Sequence, residues 1–412
     1  MKRIKFIIFT FLISGAVYAQ QELVPCLKTA SENNAALKAS FSEYRAALEM
    51  IPQARALPDP EIMFQYFTTP VLLEMGEQRF NISASQFFPW FGKLDAQEQA
   101  AALMAKAKYE SFIEARNKMF YEIKNVYYKL YVQRKSVQIT EANLDLLRSF
   151  REIAKIRFES GKNSFVDVLR ADMEIAEMEN SLAYFRDSEL PLKAEFEKLL
   201  NQKIPGEIIM PDTLWLEETE IPKSALLDSI AANNPVLKNL DYELSSWEKQ
   251  MEVAKKMGYP SLSLGLTYMN MARRTDISLQ ENGRDMYMFP EIGIMIPINR
   301  KKYNSMINEA RYKSEAVSYE KTNMKNELSA ELEMTYRDYL DARRKIKLYT
   351  RLHNLAKNAR ELIMSEYSVA GTSFEEVLRM QEQELKYALM LEDARAMQNS
   401  TVANINYLTG KE

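Results

Sequence analysis

The amino-acid sequence predicts a mainly α-helical chain with a membrane β-barrel contribution, built as two tandem structural repeats that each hold a β-hairpin and long coiled-coil-like helices. The first observation is self-similarity. Asn33-Asn34-Ala35-Ala36-Leu37-Lys38 returns as Asn233-Asn234-Pro235-Val236-Leu237-Lys238, and Pro60 returns as Pro260, at a spacing of 200. Pro89 and Pro297 then correspond at 208, and Ser164-Phe165-Val166-Asp167-Val168-Leu169-Arg170 matches Ser373-Phe374-Glu375-Glu376-Val377-Leu378-Arg379 at 209. Length changes are tolerated at exposed loop tips, so each slip marks a loop. The second observation is that proline and glycine are absent from 93–160, 162–190, 298–370 and 372–409, windows rich in good helix formers. The third is a pair of short, alternating apolar and polar segments ahead of each long helical window.

Lys2, Arg3 and Lys5 precede the apolar run Phe6 to Val17, and Val17-Tyr18-Ala19 supplies small residues for cleavage. Residues 1–19 therefore read as a signal peptide, with a mature start near Gln20. No later stretch has the 18 or more apolar residues of a membrane-spanning helix. Cys26 is the single cysteine, which excludes an internal disulfide framework. It reads either as a lipid anchor or as a buried or inert thiol; Pro25 and the polar Gln20-Gln21-Glu22 weigh toward the thiol. With 54 basic and 57 acidic residues the chain offers no case for nucleic-acid binding.

The first repeat is expected over 20–202: a helix, strands about 60–70 and 78–89, a long helix about 92–160, and a helix about 164–202. A linker follows at 203–222. The second repeat spans 223–412: a helix, strands about 260–271 and 286–297, a long helix about 298–370, and a helix about 373–410. A helix across the first proline- and glycine-free window would be roughly 100 Å long at 1.5 Å per residue. Its apolar residues run on adjacent seven-residue tracks, Phe112, Met119 and Val126 beside Ile113, Phe120 and Tyr127. That stripe is wider than a two-stranded seam, so each helix has neighbours on two sides. Tyr128-x-x-Tyr131 recurs as Tyr336-x-x-Tyr339, placing one packing face in both repeats.

Phe80 to Ser85, Ser261 to Tyr268 and Glu291 to Ile296 alternate at period two, while Glu61 to Phe67 does so poorly. Alternating segments of about ten residues with aromatic residues at their ends are the pattern of transmembrane β-strands; two hairpins of a soluble sheet are the other reading. Four strands cannot close a barrel, and an open edge in lipid strands backbone groups without partners. Several chains must then share one barrel. Exposed loops are expected over 70–77 and 270–285.

The order strand, strand, long helix, glycine-containing turn, helix, given twice behind a signal peptide, resembles the TolC-like outer-membrane efflux family over essentially the whole mature chain. Gly161-Lys162-Asn163-Ser164-Phe165-Val166-Asp167-Val168-Leu169 is similar to the family's Gly-Thr-x-x-x-x-Asp-Val-Leu turn, and Gly371-Thr372-Ser373 holds its place in the second repeat. The resemblance implies a homotrimeric duct with four strands per protomer in a twelve-stranded barrel set in outer-membrane lipid. It also implies two partners, an inner-membrane pump and a periplasmic adaptor (membrane fusion) protein docking on the hairpin tips Gly161, Lys162, Asn163, Ser164, Gly371, Thr372 and Ser373. Asp167 and Glu376 correspond to acidic residues facing the closed periplasmic aperture. Arg170 and Arg379 stand where some members carry a further aspartate, a departure that argues against a strongly cation-selective aperture. Gln86 to Lys93 resembles the strand exit of heavy-metal efflux members.

Each of these residues also has a plainer reading. Asp167 and Glu376 fit a solvated helix face, with Arg379 placed for an i,i+3 pair to Glu376. His353, the only histidine, has no companion ligand and reads as structural, and the 23 methionines fit gaps between packed helices. No G-x-S-x-G, H-E-x-x-H, C-x-x-C or phosphate-loop pattern occurs, so nothing in the sequence points to an enzyme or a cofactor. Two other classes compete with a passive duct: a periplasmic adaptor, which would place a compact β-domain around a single hairpin, and a soluble coiled-coil scaffold.

Overall fold

The computed structural model describes residues 23–411 other than 207, 220, 277–281 and 371–372, and the side chains of 287–289 and 370 are likewise left aside. The expected signal peptide and the tip residues Gly371 and Thr372 lie outside the described residues. In chain order the elements are α1 (Leu23–Asn33), α2 (Ala35–Arg55), β1 (Glu61–Leu73), β2 (Gly76–Phe88), α3 (Lys93–Glu159), α4 (Val166–Leu200), α5 (Lys223–Asn233), α6 (Pro235–Met257), β3 (Ser261–Ala272), β4 (Met286–Met295), α7 (Arg300–Ala370) and α8 (Phe374–Leu408). The fold is mostly helical with one antiparallel sheet of order β1-β2-β3-β4.

The helix expected to open each repeat is two helices, broken at Asn34 and Asn234. Asn34 Oδ1 accepts the N–H of Leu37 at 3.0 Å, an N-cap for α2, while its Nδ2 donates to the Leu199 carbonyl at 2.8 Å. Asn234 Nδ2 donates to the Leu408 carbonyl at 3.0 Å, and Pro235 supplies the pre-set first residue of α6. A side chain that satisfies both a helix start and a distant helix end outcompetes continuation of the helix.

The loop expected over 70–77 is instead the end of β1, a two-residue turn at Glu74 and Met75, and the start of β2 at Gly76. Pro70 stays within β1 because the β1–β2 register shifts between Tyr66 and Val71 and because β1 is an edge strand, where a missing N–H costs no ladder bond. The β3–β4 connection, 273–285, is the longer one.

The chain divides into two compact units. The first comprises residues 1–39, 113–235 and 325–412, and the second 40–112 and 236–324. In the first unit the centre is aromatic: Tyr127, Tyr128, Tyr131, Phe196 and Tyr339 are buried, and Tyr128 meets Trp215 edge-on at 6.2 Å. The segment 203–222, expected as a linker, is held against these helices. Tyr131 Oη accepts the Leu214 N–H at 3.0 Å, Tyr339 Oη accepts the Thr219 N–H at 3.1 Å, and Asn399 brackets Trp215 and Glu217 through their backbone. The two matching tyrosines therefore bind backbone as well as pack.

Helix ends in this unit rely on left-handed residues. Gly161 (φ 69°) follows α3, with Lys162 N–H donating to Arg157 O and Gly161 N–H to Phe158 O, both at 2.9 Å. Gly410 (φ 70°) does the same after α8. A Cβ on Gly410 would lie 2.7 Å from the Asn233 carbonyl oxygen, whereas one on Gly161 would meet nothing within 4 Å. Gly161→Ala is thus expected to cost about 1–2 kcal/mol for the left-handed backbone alone, and Gly410→Ala clearly more; urea denaturation of the two variants measures the difference.

Candidate functional site

Two regions carry functional geometry, the sheet of the second unit and the paired helix ends of the first. In the sheet, the register Ile62↔Ala84, Phe64↔Ile82, Ile82↔Tyr268, Ala84↔Leu266, Leu264↔Ile292 and Leu262↔Ile294 puts these residues on one face. That face is apolar and open: Ile62 and Ile292 are each 76% exposed, and Phe64 63%. Phe64, Phe80 and Tyr268 form a ring ladder across it at 5.8 and 6.2 Å. Two amides among the described residues share it: Gln86 Nε2 donates to the Pro58 carbonyl at 2.8 Å, and Asn270 Nδ2 donates to Asp285 Oδ1 at 3.1 Å. The opposite face carries Gln65, Asn81, Ser83, Ser85, Ser263 and Thr267, with Asn81 Nδ2 donating to Gln65 Oε1 at 3.3 Å and Thr267 Oγ1 to Glu291 Oε1 at 2.6 Å. A water-soluble sheet buries its apolar face; this one presents it. Trp90 stacks on Tyr259 at 5.4 Å where the strands meet the helices, the position of an interfacial aromatic girdle.

At the helix ends of the first unit, Phe150, Ala154, Val168, Ala171, Tyr367, Phe374 and Val377 form one buried cluster. Above it lies a polar network. Arg157, 8% exposed, donates from Nε and Nη2 to Asn163 Oδ1 at 3.2 and 3.1 Å and from Nη1 to the Ser368 carbonyl at 2.9 Å, and its guanidinium stands 4.7 Å from the Tyr367 ring centre. Asn163 Nδ2 donates to Asp167 Oδ2 at 2.7 Å and to Tyr367 Oη at 3.0 Å, and Tyr367 Oη donates to Asp167 Oδ2 at 3.3 Å. Burial, then the Asp167 charge, push the Tyr367 hydroxyl up to about 12, so it remains a donor at physiological pH.

The sequence-derived site residues fall into two groups. Asp167 and Asn163 are drawn into this network, while Arg170, Glu376 and Arg379 stay near the surface. Arg170 Nη2 lies 3.3 Å from Glu375 Oε2, across from the first helix pair to the second, and Arg379 Nη2 lies 3.3 Å from Glu376 Oε1. Gly161, Lys162 and Ser164 are exposed in the α3–α4 turn, where Ser164 Oγ accepts the Val166 N–H at 3.2 Å, and Ser373 is the extended cap of α8. Arg157 and Tyr367 were not singled out from sequence. A signal existed: Arg157 sits seven residues after Phe150, a charge on an apolar track.

A third polar cluster lies between α3, α7 and α8. Tyr407 Oη donates to Glu114 Oε1 at 2.5 Å, and Asn404 Nδ2 donates to Thr335 Oγ1 at 2.9 Å and to Glu331 Oε1 at 3.4 Å. Burial lifts the Glu114 carboxyl above the usual carboxylate range; Tyr407 and Lys118 pull it down, and Glu331 adds to the rise. A raised folded pKa gives stability that is present in acid and lost as pH climbs through the folded value. Glu114→Gln, which copies the protonated form, is expected to match the parent in acid and to melt a few degrees higher at neutral pH; paired melting curves at the two pH values check this. Among the described residues no group of three or more His, Cys, Asp or Glu side chains is placed to hold a metal ion.

Residues 26–201 match the family described as outer membrane efflux protein. Toxin and drug export protein A of Aggregatibacter actinomycetemcomitans is 22% identical over 239 residues, 57% of this chain and 51% of that protein. The chain spans about half the length of the curated relatives it matches. The outer-membrane channel OprN shares the fold at a TM-score of 0.81 and 15% identity, over 95% of this chain and 90% of that one. The outer membrane protein VceC of Vibrio cholerae does so at 0.78 and 16%, over 96% and 98%. The family match thus covers residues 26–201, and the fold shared with these outer-membrane channels runs along nearly the whole chain.

Proposed function

We propose that the chain is the exit duct of a tripartite efflux or type I secretion complex, three copies closing one twelve-stranded barrel through which cargo passes without chemistry. The observation that carries this reading is the inverted sheet: an apolar face open to the surroundings, a polar face opposite, and unpaired edges at β1 and β4. Lipid covers the first, water the second, and only neighbouring copies satisfy the edges. The helices support the same arrangement. On α4, Val166, Leu169, Met173 and Ala176 keep the 3-4 spacing of a coiled-coil seam, Ala183 and Leu190 continue it at seven-residue steps, and all six are exposed. On α7, Leu348, Leu355, Leu362 and Val369 recur every seven residues, with Leu362 67% and Val369 84% exposed. Such stripes are surfaces for further helices. The matching bonds Asn34 to Leu199 and Asn234 to Leu408 support descent of the two halves from one unit.

The finer parts of the reading follow from the paired helix ends. The Arg157, Asn163, Asp167 and Tyr367 network ties the two hairpins of a protomer together and acts as the closing latch of the periplasmic end. A periplasmic adaptor engages the exposed Lys162, Ser164 and Ser373 together with Gly161, Gly371 and Thr372, and an inner-membrane pump supplies the energy. A soluble scaffold is disfavoured by the same sheet, because nothing would cover Ile62, Phe64 and Ile292.

Mass measurement of the detergent-purified protein tests the architecture, with a trimer retained in the outer membrane through carbonate washing as the expected result. A stable, folded monomer in lipid would overturn it.

A further inference from the structure

The two long helices begin where the strands end, and their first turns carry charge of the sign that a helix start disfavours. The first residue of α3 is Lys93, and α7 opens Arg300-Lys301-Lys302 with no acidic residue in its first turn; Asp95 is the one acid in the first turn of α3. Asn299 Oδ1 accepts the Lys302 N–H at 3.3 Å, which fixes the three cations in that turn. The end of α6 meets both starts. Lys256 Nζ donates to the Gly92 carbonyl at 3.1 Å, Arg300 Nη1 donates to the Gly258 carbonyl at 2.9 Å, and Trp90 is stacked on Tyr259. Glu252 is already shared between Lys249 at 3.3 Å and Lys256 at 2.9 Å. Among the described residues, Lys93, Lys255, Lys301 and Lys302 have no carboxylate partner. Further along α7, by contrast, Lys313 pairs with Glu309 at 2.8 Å and Lys345 with Asp341 at 2.9 Å. Burial lowers the Lys93 ammonium below the ordinary lysine value, and no neighbouring carboxylate counters it.

The same junction is apolar on its surface. Ile296 follows Ile292 and Ile294 at period two, and Ile296, Ile298 and Phe91 are 63%, 86% and 79% exposed. We infer that the strand-to-helix junction is a collar that binds anionic phospholipid headgroups of the periplasmic leaflet, with Lys93, Lys255, Lys301 and Lys302 at the phosphate level and Trp90, Phe91 and Ile298 in the acyl boundary beside them. The inference rests on the duct reading and adds a lipid partner to it. Continuity of surface argues for lipid over a protein partner, because the open apolar face of the sheet runs on into Ile296 and Trp90. A bilayer surface supplies apolar contact and negative charge at adjacent depths, and both are what this junction leaves unmet. Phosphates beside the starts of α3 and α7 also offset the dipole penalty that the lysines incur there.

Tryptophan quenching in vesicles tests the inference on the full-length protein, with brominated phosphatidylglycerol and brominated phosphatidylcholine as the two probes. Trp90 is the reporter, and Trp90→Phe identifies its share of the quenching. The unmodified protein is expected to favour the phosphatidylglycerol probe about threefold or more at low salt. That preference should shrink in about 1 M potassium chloride, where surface charge is screened. Lys301→Gln with Lys302→Gln should halve it or more; Arg300 is left in place because it bonds the Gly258 carbonyl. The salt series needs no variant, so a poorly assembled double variant does not rescue the inference. Equal quenching by both lipids overturns the collar, leaves the duct standing and turns the cations toward an acidic protein partner. A preference that survives both high salt and the lysine changes also overturns it. Absence of Trp90 quenching by either lipid places the end of the sheet outside the bilayer and overturns the duct reading, and the inference with it.

Discussion

Leu264→Arg combined with Ile292→Arg is expected to remove the protein from the outer membrane. The two residues are register partners on the open apolar face, 53% and 76% exposed in the single chain. If lipid covers that face, each arginine near the bilayer midplane costs about 2–4 kcal/mol. Two together approach the whole stability of a typical domain, about 5–15 kcal/mol. Ser83→Arg is the control: Ser83 lies between Met63 and Thr267 on the opposite face, where a charge meets water. Outer-membrane fractions after carbonate washing, together with urea titration in lipid vesicles, read the outcome. Equal loss from both faces would mean that the sheet is sandwiched by protein, and an unaffected double variant would mean that the apolar face never meets lipid.

The helices were legible because long windows without proline or glycine leave helix as the cheapest way to satisfy the backbone, and α3 and α7 fall in two of them. Breakers were a less faithful guide. Pro52 and Pro191 sit inside α2 and α4, and Pro70 sits inside β1, where the sheet edge and the register shift remove the penalty that proline carries in a central strand. The alternation of β1 is blurred because Met63 and Phe67 interrupt the polar side of the strand. What the sequence concealed is long-range polar pairing. Asn34 and Asn234 repeat visibly in the chain, but the carbonyls they bind lie 165 and 174 residues away. Segment 203–222 has a linker's composition and is nevertheless stapled by Tyr131, Tyr339 and Asn399. At the helix ends, the acidic residues that drew notice by motif are less informative than Arg157, whose carbonyl partner is 211 residues distant.

Arg157→Ala is expected to loosen the periplasmic end far more than charge reversal of the two surface arginines. Arg157 is nearly buried and holds three hydrogen bonds and a ring face, joining the α3–α4 turn to the end of α7. A hydrogen bond to a charged group contributes about 1.5–3 kcal/mol, and its loss leaves the Asn163 and Ser368 oxygens to find other donors. Arg170 and Arg379 sit in exposed pairs, worth about 0–1 kcal/mol each after solvent screening. Arg170→Glu with Arg379→Glu also sets glutamates against Glu375 and Glu376, a modest like-charge cost at the surface. Tyr367→Phe removes one donor to Asp167 and keeps the ring beneath the guanidinium, so it should fall between the two. Leak conductance in bilayers is expected to rank Arg157→Ala above Tyr367→Phe above the double reversal, with each variant still trimeric. If the double reversal leaks most, closure is set by the rim charges that the motif marks. If none leaks, the two hairpins are joined for stability alone and closure depends on contacts between protomers, such as the exposed α4 and α7 stripes.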